Sequence, residues 1–205
     1  LPADYFRAFH LQHHRFTQDP ARDPELAAPP LAGPAAWLWH VSGLPYWRER
    51  FATTLRHALG KATEDFVPAR LRPAIVGEAR AHLALYALAA AASLAAGSAL
   101  LLWLWVLPAL LGQPFLRLYL LAEHGGCPRV TDMLANSRTT LTHPALRALC
   151  WNMNLHTAHH AYPAVPFHAL PAADRLLAPR IAVRSRGYLS VQREIWRSLG
   201  STPAV

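Results

Sequence analysis

Between Arg80 and Arg117 the chain runs for 36 residues, AHLALYALAAAASLAAGSALLLWLWVLPALLGQPFL, without an Asp, Glu, Lys or Arg. No other feature restricts the fold as much. At ~1.5 Å per residue a single helix of this length would extend ~54 Å, against a hydrocarbon core of ~30 Å. Two antiparallel spanning helices fit better, from about residue 79 to 96 and from about 99 to 121. Gly97 and Ser98 in AAGSA supply the tight turn, because glycine tolerates backbone angles that side chains resist. Pro108 is expected to kink the second span, and Arg117 to snorkel at its end.

Charge outside the run tests the hairpin. Arg48, Arg50, Arg56, Lys61, Arg70, Arg72 and Arg80 precede it, and Arg117, Arg129, Arg138 and Arg147 follow it. Both flanks are positive, so both belong on the cytoplasmic side, and only an even number of crossings allows that. Composition agrees: 53% of residues are apolar and 16% charged, against roughly 25% charged in soluble domains. The net charge of +8 does not indicate nucleic acid, since the basic residues are dispersed and no recognition module is visible. Cys127 and Cys150 form neither a CxxC pair nor a disulfide framework.

Upstream of the run, YWRERFATTLRHALG aligns Trp47, Phe51, Leu55 and Leu59 on one helical face. With Trp37 and Trp39 just before it, this reads as a helix lying among lipid headgroups or as an amphipathic helix packed on a cytoplasmic domain. Downstream, SVQREIWRSLG suggests a short helix capped by Ser190 in a soluble tail. The fold class is therefore all-α: an integral membrane helical protein with one transmembrane hairpin plus interfacial and cytoplasmic helices.

The chemistry lies in the histidines. HLQHH places His10, His13 and His14 in the same His-x-x-His-His spacing as His156, His159 and His160 in HTAHH. On a helix, positions i, i+3 and i+4 share an arc of ~100°, so each triplet presents three imidazoles from one face. Neutral imidazole suits Fe, Zn, Cu and Ni. Two triplets on the same side of the membrane could enclose a metal centre, and His124 in AEHGGCP, where the second span emerges, is a seventh candidate. His168, and the acidic residues Asp19, Asp23, Glu25 and Asp132, could orient ligand imidazoles, although turns and caps explain the acidic ones as easily. His40, His57, His82 and His143 read as ordinary structural histidines.

The succession FHLQHHRFTQDPARDPE, a helical hairpin, AEHGGCP and RTTLTHPALRALCWNMNLHTAHHAYPAVPFHALP resembles the membrane fatty acid desaturase superfamily. The resemblance covers residues 1–175 as a desaturase-like domain, leaving 176–205 as a cytoplasmic tail. It implies a non-haem di-iron centre, O2 as co-substrate, and electrons from a ferredoxin or cytochrome b5 type donor. It also implies insertion of a double bond into the acyl chain of a lipid, presented in the membrane or on an acyl carrier. By position it makes His10, His13 and His14 the second histidine box, His156, His159 and His160 the third, and His124 an additional ligand. Leu120 stands where some relatives have Asn. The family's first box should lie upstream of His10, but the nine residues there include no histidine. The reading is an amino-terminally truncated enzyme, inactive as this fragment alone, or a non-catalytic degenerate relative. A lipid or carotenoid hydroxylase or ketolase of the same architecture is the alternative within enzymes. A zinc hydrolase is disfavoured, as HExxH is absent. The expected location is a bacterial inner membrane, with the boxes facing the cytoplasm.

Overall fold

A computed structural model describes residues 2–199. The described residues are predominantly helical, with two three-residue strands. They fall into two compact units. One comprises residues up to Gln12 with Leu38–Phe115, and the other His13–Trp37 with Leu116 onward.

The first unit contains the start of α1 (Ala3–Phe16), the end of α2 (Pro34–Val41), α3 (Leu44–Ala58) and α4 (Arg72–Ala95). Its core is small: Tyr5, Ala8, Ala62, Val67 and Ile75, flanked by Phe9, Phe66, Leu71 and Val76. His57 lies in it, fully buried, with Nε2 2.7 Å from Glu64 Oε1 and its ring 4.6 Å from that of Tyr5. This is a structural histidine, paired because an unpartnered one would be costly to bury. The buried residues of α3 are Thr53, Thr54 and His57, while Phe51, Leu55 and Leu59 are exposed. Three of the four residues of the apolar stripe thus lie off the face that packs on protein, while Trp47 is half-buried.

Two helices are long and apolar enough to cross a membrane, Ala69–Ala95 and Leu102–His124. The first starts earlier than the charge-free run, taking Glu78 and Arg80 into its opening turns. There Glu78 accepts from the Asp4 amide (3.1 Å) and Arg80 Nε donates to Ala58 O (2.8 Å). The turn falls at Gly97, in the left-handed region at φ 57°. The expected effect of Pro108 takes a particular form: residues Leu102–Val106 are π-helical and lead into α5 (Leu107–His124). Leu107 N bonds Leu102 O. Because Pro108 cannot donate to residue 104 and its ring crowds that carbonyl, a wider turn before it relieves the clash. The two spans touch through Tyr86 and Trp105, with ring centroids 5.3 Å apart.

The second unit holds the end of α1, the end of α5, α6 (Met133–Asn136), α7 (Pro144–Leu149), α8 (His156–Ala161), α9 (Leu170–Leu177) and α10 (Tyr188–Ser198). Strands β1 (Thr139–Leu141) and β2 (Arg184–Arg186) pair in parallel, Thr139 opposite Arg184. Buried Asp174 ties them, receiving Thr139 Oγ1 (3.2 Å) and Arg184 Nη2 (3.1 Å). Leu155, Ala158, Leu170, Leu177 and Ile181 form the core under α8. Pro163 follows the end of α8, which it cannot continue, and Pro171 sits in the first turn of α9, where its missing N–H costs nothing. Gly187, not Ser190, is the cap residue of α10; Ser190 lies inside the helix and its hydroxyl donates back to Gly187 O (2.8 Å). Cys127 and Cys150 are free thiols.

Candidate metal centre

Three segments of the second unit bring histidines together. The first is the last turn of α1, which ends where Gln18 turns left-handed at φ 66°. The reversal returns Asp23, whose carboxylate accepts from Gln18 N (2.8 Å) and Glu25 N (3.0 Å), and from His13 Nδ1 (2.9 Å). The second is the end of α5, which presents His124. Buried Arg138 closes that end by donating to Ala122 O (3.2 Å) and Gly125 O (2.7 Å), satisfying carbonyls a helix terminus leaves open. Gly125 is required: a Cβ there would lie 2.3 Å from Leu121 O and 3.0 Å from the Ile195 side chain. The third is α8, pinned by Thr157 Oγ1 to Ser137 O (2.9 Å), Asn154 Nδ2 to Thr140 O (2.9 Å) and a bridge between Leu155 and Thr139.

Ligand atoms of His13, His124, His156 and His160 all lie within 4.8 Å of one another. His14 stacks on His160 at 4.2 Å and meets His159 at 4.6 Å. His10 occupies α1 one turn before His14, its ring stacked on Phe6 at 5.4 Å. Of the residues considered as supports, Asp23 reaches an imidazole. Glu25 Oε2 is 3.7 Å from His13 Nε2. Asp19 instead takes Arg22 Nε and the Ala21 amide, Asp132 caps α6 through Leu134 N, and His168 is exposed with its ring against Phe167.

Hydrogen bonding orients the rings. His13 Nδ1 donates to the Asp23 carboxylate, and His124 Nδ1 donates to Asn136 O (3.1 Å). His160 Nδ1 lies 3.0 Å from Thr17 Oγ1, whose own proton goes to His13 O (2.7 Å), so the hydroxyl accepts and the imidazole donates. In a neutral ring with Nδ1–H, Nε2 keeps its lone pair. Three histidines are thereby prepared as Nε2 ligands, the arrangement by which outer partners fix the tautomer of a metal-bound imidazole. Buried His160 Nε2 has no hydrogen-bond partner, which costs ~1–3 kcal/mol unless something binds it. His124 Nε2 and His156 Nε2 face each other at hydrogen-bonding distance, 3.0 Å, so both would be available to a metal held among the four histidines. His156 Nδ1 is 3.4 Å from Glu123 Oε1. The donor set therefore fits a transition metal.

Protonation agrees. Burial, reinforced by neighbouring imidazoles, holds His156, His159 and His160 below the ordinary histidine range, so these rings are neutral and competent as ligands. His13 differs: burial pulls it down, but the Asp23 hydrogen bond and the charges of Glu25 and Asp23 carry it above its usual value. Asp23 resists its own burial through the same contact and stays below the usual carboxylate range.

HxxHH spacing exposes the imidazoles in the sequence but not their supports. Thr17 is recognisable only as the residue one helical turn after His13 and His14, and Asn136 acts through its backbone carbonyl, which no side-chain pattern marks. Arg138 reads as one more flanking charge.

The sequence profile of the fatty acid desaturase family matches residues 1–191. The chain belongs to the fatty acid desaturase family. No match is found among curated proteins or among solved structures. Family and spans together describe a membrane protein of a class that generally comprises oxidoreductases, carrying histidine clusters that could hold metal.

Proposed function

We propose that this chain carries a non-haem di-iron site that introduces a double bond into a fatty acyl chain of a lipid, using O2. The observation that supports this most is the convergence of His13, His124, His156 and His160, with the Nδ1 atoms of His13, His124 and His160 tied by Asp23, Asn136 and Thr17. His13, His14, His124, His156, His159 and His160 are the proposed ligands of the second unit, with His10 from the preceding turn of α1. When bound, iron supplies the O2 chemistry that an unactivated methylene requires. The reaction removes two hydrogens from the acyl chain, and O2 with two more electrons and two protons becomes two waters. That balance calls for an electron donor, of the ferredoxin or cytochrome b5 type, which would meet the histidines on the cytoplasmic side, the side the positive flanks of the hairpin favour.

The chain's own residues do the positioning. Asp23 holds His13 in one tautomer, Thr17 holds His160 and the Asn136 carbonyl holds His124. The burial of His13, His156 and His160 excludes water, which would compete for the site and lead oxidation astray. The hairpin keeps the chain where lipid substrates are.

Two measurements test the reading. Iron content of the purified protein should be stoichiometric and collapse in a His156→Ala, His159→Ala double variant; a protein that takes up no iron is a non-catalytic relative. In a host expressing the protein, acyl chains should lose two hydrogens by mass, whereas a gain of one oxygen would reassign the chain to the hydroxylases.

A further inference from the structure

Helix α10 carries a feature that the metal site does not use. Its buried side is Val191 and Ile195, packed on Ala122 and Leu121 of α5. On the other side, spacings of four and three residues align Leu189, Arg193 and Trp196, with Arg197 beside them. Trp37 meets Trp196 edge to face at 5.2 Å, and these residues with Gln192 line an open groove. Leu189 and Trp196 are exposed, as are Arg193 and Arg197.

Two observations say what covers this surface. The first is depth. Gln192 Nε2 donates to Leu118 O (2.7 Å), and the Tyr188 ring lies 5.4 Å from that of Tyr119, so α10 runs beside the last turns of a spanning helix. That is the level at which tryptophan and tyrosine rings prefer the boundary between acyl chain and headgroup. The second is charge. Two arginines at i and i+4 repel each other on a helix surface, and among the described residues the groove lining contains no carboxylate. The one acidic residue of α10, Glu194, points elsewhere, 3.8 Å from Arg138. An anion between the arginines, attached to something apolar lying on the two indoles, matches both.

We propose that α10 and Trp37 form a binding site for an anionic phospholipid, with the headgroup phosphate held by Arg193 and Arg197 and the glycerol and upper acyl segments on Trp37, Trp196 and Leu189. The site recognises a lipid by headgroup charge and is separate from the oxidation of an acyl chain. It depends on α5 spanning the membrane and not on the metal centre, so either reading can fail alone.

Native mass spectrometry of the protein in neutral detergent, titrated with phosphatidylglycerol or phosphatidylcholine, reads the site directly. At the attraction usual for two basic side chains near an anionic surface, phosphatidylglycerol should bind about tenfold tighter or more. An Arg193→Gln, Arg197→Gln double variant, with unchanged circular dichroism, should bind the two lipids equally. Trp196→Ala should weaken both. Inorganic phosphate and glycerol 3-phosphate at millimolar concentration should displace neither lipid. Retained preference in the double variant overturns the proposal, and simultaneous loss of binding to polyglutamate would reassign the arginines to an acidic protein. Displacement by inorganic phosphate at concentrations comparable to the lipid overturns it in favour of a soluble anion.

Discussion

In the first unit the large apolar side chains of the spans stand outside: Leu94 is 82% exposed and Leu104 74%. In the second unit Asn136, Ser137, Thr139 and Thr157 are fully buried, and Arg138, His13, His156 and His160 nearly so. The two regions answer to different solvents. An exposed leucine asks only for an apolar surrounding, and any lipid tail supplies it. A buried histidine asks for a partner at a given distance and direction. The second unit is therefore the one in which single substitutions should matter.

The largest effect is expected at the imidazoles. Replacing both His13 and His160 with Ala removes two of the four ring nitrogens that converge and should cut bound iron, measured by inductively coupled plasma mass spectrometry, by more than ~tenfold. His143→Ala and His168→Ala, which remove a helix cap and an exposed ring, should leave iron content unchanged. Equal losses in both pairs would mean that histidine number, not convergence, governs binding.

Next comes the apolar floor beneath α8. Leu170 is fully buried with Leu155 and Ala158, and truncating it to Ala should cost ~2–5 kcal/mol. The expected readout is a lowered unfolding midpoint in detergent, together with weaker iron retention, because α8 carries three of the histidines. Asp23→Asn should be milder in stability and more selective in function. Asn can still accept from His13 but lacks the charge, so metal affinity should fall ~10–100-fold. Unchanged affinity would show that Asp23 only caps the turn that follows α1.

These sites differ in how far the sequence discloses them. The hairpin is legible because lipid imposes a one-dimensional rule, a minimum length without charge: the turn and the second span appear within a few residues of where that rule puts them, whereas the first span begins ten residues earlier, because Glu78 and Arg80 find partners on protein. The HxxHH triplets are legible because helical spacing is local. Asp23 is reachable only as one of several acidic candidates: Asp19 and Asp132 are in the same kind of turn but spend their oxygens on Ala21 N and Leu134 N. Thr17 and the Asn136 carbonyl are not legible, since the contacts that give them meaning join residues 143 and 12 positions apart. The π-helical turn before Pro108 shows a related limit: proline announces a disturbance without specifying its geometry.

A smaller effect comes from pH. In metal-free protein His156, His159 and His160 resist protonation when folded, whereas in the unfolded chain they take up protons below about pH 6.5. The unfolded state then binds more protons, so stability should be level above that pH and decline steadily below it. His13 acts in the opposite sense, since its raised value favours the folded state below about pH 6.5. Three groups against one leave a net loss on acidification, read as a midpoint several degrees lower at pH 5.5 than at pH 7.5. A higher midpoint at the lower pH would place the His13–Asp23 pair in control.

Least of all should change at Leu104. Its side chain is exposed within the π-helical stretch, so Leu104→Ala leaves no cavity between protein atoms, and the apolar medium flows into the space. The change in unfolding midpoint should correspond to less than ~0.5 kcal/mol, the range of surface substitutions. The same leucine-to-alanine change thus separates the units: at residue 170 the lost methylenes leave a gap that packed neighbours cannot fill, and at residue 104 solvent fills it. A loss at Leu104 as large as at Leu170 would mean that the face carrying Leu104 is covered by protein, and the contrast between a lipid-facing hairpin and a protein-facing core would have to be redrawn.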